Sequence, residues 1–191
     1  MNSDSRNWMK LGCLILVGLF GINATAPCAE SEFSLKSMAT SEDWAFFSQM
    51  SPEQKRAIWE KKNHGNLKNA HWTWRLALLR GCDDSNGSVK AGQYCSQVLK
   101  QGLRDRALVV RMESAEILSK QASNMNTELE KAFIDALGNK WNSRGNKSNF
   151  AFRRILFSAY QTGIPSIQLA AKEIASANAN NKKYWDRITQ R

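Results

Sequence analysis

The sequence predicts an all-α domain built from antiparallel helix pairs, as a short α-solenoid or an irregular helical bundle. Three observations predict it. Helix-start and helix-stop residues recur along the chain, and no segment sustains the alternation of a half-buried strand. Three apolar–arginine pairs, Trp74-Arg75, Val110-Arg111 and Phe152-Arg153, also open or cross a second helix at intervals of 36 and 42 residues. Such intervals lie in the range of helical repeats. With 191 residues, one globular domain accounts for the chain without a second.

The N-terminus is set apart first. Arg6 and Lys10 precede an apolar run from Leu11 to Ile22, and small residues follow at Ala24, Ala26, Cys28 and Ala29. A basic region, a short apolar region and small residues near a cut are the marks of a secretory signal peptide. The run is too short to span a bilayer, which needs about 20 residues. Ala24-Thr25-Ala26 satisfies the small-x-small rule but is followed by Pro27, which leaves cleavage after Cys28 or Ala29 equally open. Thr25-Ala26-Pro27 before Cys28 departs from the leucine-small-small pattern of a lipid-accepting cysteine. The expectation is therefore a signal peptide over 1–29, a flexible lead-in over 30–40, and one helical domain over 41–191. A periplasmic or secreted location follows, in a bacterium by the style of the signal.

The helices follow in order. Ser41-Glu42-Asp43-Trp44-Ala45-Phe46-Phe47 predicts a short helix with an aromatic face. Ser51-Pro52-Glu53-Gln54 is a serine N-cap, a proline at the first helical position and a glutamine three past the cap, so a helix runs to about Lys62. Asn63 to Asn66 stops it, and the next covers Leu67 to Gly81. Beyond a polar turn, Val89 to Gln101 forms a helix that Gly102 closes. Asp105 is placed to cap the following one, Arg106 to Gln121, where Leu108, Met112, Ala115 and Leu118 recur at helical spacing. Thr127 with Glu130 predicts a capping box before Leu129, Phe133 and Leu137, ended by Gly138. Lys140 to Asn149 reads as a polar loop. Phe150 to Thr162 is closed by Gly163, Pro165 starts a helix to about Ala177, and a basic tail helix surrounds Tyr184-Trp185.

The middle pair carries a resemblance. Leu103, Asp105, Val110 and Arg111, followed by Ser114, Ala115 and Leu118, resemble a HEAT-type helical repeat. The resemblance implies that Asp105 and Arg111 are structural residues that organise the turn and contact the neighbouring repeat. Ala107-Leu108 departs from the family's frequent Asp-Pro, the flanking copies lack the aspartate, and the 140–149 insertion is atypical. The sharp match covers about 20 residues, and a looser one spans 67–162. Such α-solenoids generally bind other macromolecules.

Charge and cysteines bound the function. The chain carries +10, of which the first 29 residues contribute +1, leaving +9. A basic exported protein is drawn to acidic proteins, envelope polymers or lipid headgroups; nucleic acid is not expected outside the cell. Cys82 and Cys95 flank the polar turn Asp83 to Ser88, and an even pair in an oxidising compartment tends to form a disulfide. No cofactor or metal is expected. His64 and His71 have no acid or cysteine at ligand spacing. Asp83, Asp84 and Asn86 have the glycine at the wrong offset for a calcium loop. Glu113 and Glu116, the nearest to a glycan-cleaving carboxylate pair, fall on one exposed helical face. The expectation is a non-catalytic module that binds an envelope protein, with binding to anionic polymers or lipids as the alternative. Candidate binding residues are Trp59, Trp72 and Arg75 in an aromatic–basic stretch, and Trp141, Arg144 and Lys147 in the polar loop. Whether the tryptophans are core or interface stays open.

Overall fold

Local capping chemistry sets where the helices begin. The computed structural model describes residues 36–51, 53–57, 70–83, 93–139, 142 and 150–190. Among these residues every regular element is helical: α1 (Ser41–Gln49), α2 (Trp72–Arg80), α3 (Gln93–Leu103), α4 (Leu108–Lys120), α5 (Thr127–Leu137), α6 (Phe150–Gln161), α7 (Pro165–Ser176) and α8 (Ala179–Thr189). A short 3₁₀ turn, Ala122–Asn124, follows α4, and residues 53–57 are helical between α1 and α2. The expected signal peptide over 1–29, and Trp59, His64, Trp141, Arg144 and Lys147, lie outside the described residues. Among the described residues no helix is long and apolar enough to cross a membrane.

Thr40 caps α1 reciprocally with Asp43, and Ser51 and Gln54 exchange the same pair of bonds ahead of residues 53–57. Three starts differ from expectation. α2 begins at Trp72, five residues later than the pattern suggests, because His71 supplies the N-cap by accepting from the Thr73 N–H. α5 is capped by Asn126, whose Oδ1 accepts from the Leu129 N–H at 2.9 Å. Thr127 thus becomes the first helical residue, and asparagine is as good a cap as any. α4 begins at Leu108 with Ala107 extended before it, and Ala107 gives no side-chain cap. Gly163 closes α6 with φ +66°, the left-handed conformation that favours glycine.

The helices alternate between two layers. α2, α4, α6 and α8 each pack on the next, α3, α5 and α7 do likewise, and consecutive pairs such as α3–α4 and α7–α8 join the layers. Pairs of helices are thus stacked side by side. α4 touches α2, α3 and α6, so a single stripe cannot describe it. Its buried residues are Val110, Arg111, Ser114, Ala115, Ile117, Leu118 and Ser119, whereas Leu108 and Met112 of the expected stripe are half-buried. The two serines are small enough to sit between helices. Ser114 Oγ donates to the Leu99 carbonyl at 2.8 Å.

Trp74 anchors the N-terminal end. It is buried, meets Phe47 of α1 edge-on with centroids 5.7 Å apart, and donates from Nε1 to the Ser37 carbonyl at 3.0 Å. The Ala39 N–H donates to Thr73 Oγ1, so Ser37 and Ala39, within the expected lead-in, are held against α2. Cys82 and Cys95, 13 positions apart in sequence, bring their sulfurs to 2.09 Å, disulfide distance. Gln121 Nε2 donates to the Cys82 carbonyl and Lys120 Nζ pairs with Asp83, which ties the end of α4 to the same corner. The Asp83 bond, more than anything else, holds the Lys120 ammonium above its ordinary pKa.

Gly102 lies inside α3, one residue before its end, rather than after it. A Cβ there would collide with Ser114 Oγ and come within 2.9 Å of Leu79 Cδ2. Glycine is required for the close approach of α3 to α4 and α2. Gly102→Ala should lower unfolding stability by about 1–3 kcal/mol in urea denaturation, with part of the loss recovered in Gly102→Ala/Ser114→Ala. Replacing both Cys82 and Cys95 by serine should cost about 3 kcal/mol, the loop-closure value for this separation. A thiol-free variant as stable as the parent would mean that the two cysteines are not bonded in solution.

Candidate functional site

The same residue type occupies the same place in three helices. Arg75, Arg111 and Arg153 are each the fourth residue of α2, α4 and α6, following Trp72-Thr73-Trp74, Leu108-Val109-Val110 and Phe150-Ala151-Phe152. Each faces the connection ahead of the next helix of its own layer, or that helix itself. Arg75 reaches 30 residues forward and grips Asp105 as a fork, Nε to Oδ2 at 2.6 Å and Nη2 to Oδ1 at 2.7 Å. Its Nη1 donates back to the Ala70 carbonyl. Arg111 reaches 31 residues forward, Nε to Asn142 Oδ1 at 2.7 Å, and back to the carbonyls of Asp105 and Arg106. Asn142 then donates to the Ala136 carbonyl. Arg153 also finds its partner 31 residues on, but the partner is the ring of Tyr184, 5.5 Å from the guanidinium carbon to the centroid.

Asp105 therefore does two things. Its carboxylate holds Arg75, and Oδ1 also accepts from the Ala107 N–H at 2.7 Å. This local turn replaces the expected helix cap, because both oxygens are already directed at Arg75 and the chain stays extended through Ala107. Arg75 and Asp105 are 1% and 3% exposed at their side chains, so Arg75 is an internal brace and not an exposed binding residue. Burial draws the Arg111 guanidinium below its ordinary pKa, and the Asp105 charge opposes this. Leu103 and Val110, the apolar residues of the same motif, are both buried.

These bonds tie the start of α2 to the turn ahead of α4, and the start of α4 to Asn142. The first turns of α2, α4 and α6 carry the exposed apolar residues Trp72 (38%), Val109 (38%) and Phe150 (73%), each the first or second residue of its helix. Trp72 is thus on the surface, its ring 5.7 Å from that of His71, while Trp74 two residues later is core. Phe150 and Val109 were not singled out by sequence reasoning. The shared order of apolar, any residue, apolar, arginine aligns Phe150 with Trp72, but it aligns Leu108, which is half-buried, and not Val109. Asn142 was missed because its loop carried no regular pattern.

The carboxylates of α4 are ion-paired. Glu113 pairs with Arg80 at 2.8 Å, and Glu116 pairs with Arg154 at 2.6 Å and more loosely with Lys120. Among the described residues no group of three or more histidine, cysteine, aspartate or glutamate side chains is placed to hold a metal ion. No family model, no curated protein and no solved structure matches the chain.

The Arg75–Asp105 pair has a measurable consequence. Arg75→Met strands a buried carboxylate and should cost about 3–5 kcal/mol in urea unfolding. Asp105→Asn keeps one acceptor oxygen but turns an amide NH2 toward one arm of the fork and leaves the buried Arg75 charge unpaired, so it should cost a comparable amount. A clearly smaller loss in Asp105→Asn would show that hydrogen bonding, not charge pairing, governs this contact.

Proposed function

We propose that the chain is an exported, non-catalytic helical-repeat module of HEAT-like type that binds a protein partner in the bacterial envelope. The observation that carries the reading is that α2, α4 and α6, which pack one on the next, each expose an apolar residue in the first turn: Trp72, Val109 and Phe150. Exposed apolar side chains repeated on packed helices suit a macromolecular partner, and aromatic residues supply much of the binding energy at such surfaces. The HEAT-like assignment is supported by the arginine at one fixed position of successive second helices and by the pairing of Asp105 with the preceding pair of helices. Export is supported by the N-terminal pattern and by two cysteines at disulfide distance, a bond that persists in oxidising compartments. The ion-paired state of Glu113 and Glu116 favours a structural role for both.

The test is affinity capture from bacterial envelope extract at low and high salt. A discrete protein should be retained at high salt and lost when Trp72 and Phe150 are both changed to alanine. Both side chains are exposed, so the double variant should melt within a few degrees of the parent. Material that is released as salt rises, and is indifferent to those two residues, would favour the alternative of a basic binder of anionic polymers or lipids.

A further inference from the structure

The arginine series is complete at two positions and open at the third. Asp105 meets Arg75 through both carboxylate oxygens, and Asn142 meets Arg111 through its amide oxygen. At Arg153 no oxygen arrives from the described residues, and its Nε is buried with no hydrogen-bond partner among them. The side chain instead lines a cleft of about 880 Å³ at the C-terminal end, together with Lys182, Lys183, Tyr184, Asp186 and Arg187. Arg187 also stands over the Tyr184 ring, at 5.2 Å, so one aromatic ring carries two guanidinium groups. Asp186, the one acid among these lining residues, is engaged by Lys182 at 2.7 Å. Four cations thus face the cleft with a single carboxylate already paired.

We propose that this cleft takes a carboxylate side chain from an acidic segment of a partner protein, which stands to Arg153 as Asp105 stands to Arg75. The inference rests on the partner-binding reading above and names one place and one chemistry for the contact. Three features favour a carboxylate. The two equivalent arginines are both met by planar oxygen groups carried on a polypeptide. The Tyr184 ring holds the Arg153 and Arg187 guanidinium groups without supplying an oxygen, and a guanidinium binds a carboxylate as a fork. A buried N–H without an acceptor is unfavourable, and an oxygen that reaches it relieves that cost. The size of the cleft suits a short peptide segment rather than a lone ion.

The experiment titrates the full chain with an end-labelled synthetic peptide of alternating glutamate and glycine, at an ionic strength of about 0.15 M, reading fluorescence anisotropy. A glutamine-for-glutamate peptide is the control. The acidic peptide should bind and the glutamine peptide should not. Arg153→Met should weaken binding at least about tenfold, and Arg153→Lys, which keeps the charge without the fork, should weaken it too. Lys131→Gln, at an exposed position on α5 outside the cleft, should leave it unchanged. Thermal melts establish that each variant folds. Equal loss in Lys131→Gln and Arg153→Met overturns the proposal. So does binding confined to phosphatidylglycerol vesicles or inorganic polyphosphate, and so does no binding at all. If the peptide binds as expected but envelope capture yields no partner, the cleft stands and the partner reading falls. If capture depends on Trp72 and Phe150 but not on Arg153, only the cleft assignment falls.

Discussion

The Arg75 guanidinium is clasped between the Asp105 carboxylate and the Ala70 carbonyl, almost wholly out of water. A buried charge left unpaired is strongly unfavourable, so the positions of both groups are tightly constrained once the core closes. That one constraint sets much else. It fixes the turn between α3 and α4, since Asp105 also holds the Ala107 N–H. It fixes the start of α4 relative to that of α2, and so the register of the layer to which α6 and α8 are added. Arg111 repeats the arrangement with a neutral oxygen, Asn142, in place of a charged one.

The layer built this way makes α4 the most enclosed helix among those described. It packs against α2, α3 and α6, and Ser114 and Gly102 let α3 come close. A helix enclosed on several sides has no single polar face, which is why Arg111, Ser114 and Ser119 are buried with the apolar residues. Their polar atoms are matched nearby: Ser114 with the Leu99 carbonyl, Ser119 with the Glu116 carbonyl, and Arg111 with three oxygens. Trp72, Val109 and Phe150 emerge at the surface from the first turns of α2, α4 and α6, while Thr73 and Ala151 beside them are buried and the arginines at position four turn inward or into the cleft.

Much of the candidate site was visible as pattern before it had geometry. The three apolar–arginine pairs, the Asp105 motif and the two cysteines all stand out in the sequence. What they touch does not. Asp105 reads equally well as a helix cap, and Arg75 reads equally well as a surface cation beside exposed tryptophans. Trp72 and Trp74 are two residues apart on a helix, hence on nearly opposite sides, but which side is core depends on what packs there. Asn142 and Tyr184 have no local signature as partners, because each is chosen by an arginine about 30 residues earlier.

By itself the sequence determined the helical class, the order of the helices among the described residues, most of their ends and the spacing of the apolar–arginine pairs. Those properties follow from contacts within a few residues: caps, glycine stops, proline starts and apolar spacing. Tertiary structure decided which of two adjacent polar groups caps a helix, which arginine is internal, and which aromatic residues reach the surface. Those outcomes depend on where a buried charge or donor can find an oxygen, and the oxygen is supplied by another part of the chain. At Arg75 and Arg111 the fold supplies it; at Arg153 an aromatic ring takes its place and the Nε stays unmatched among the described residues.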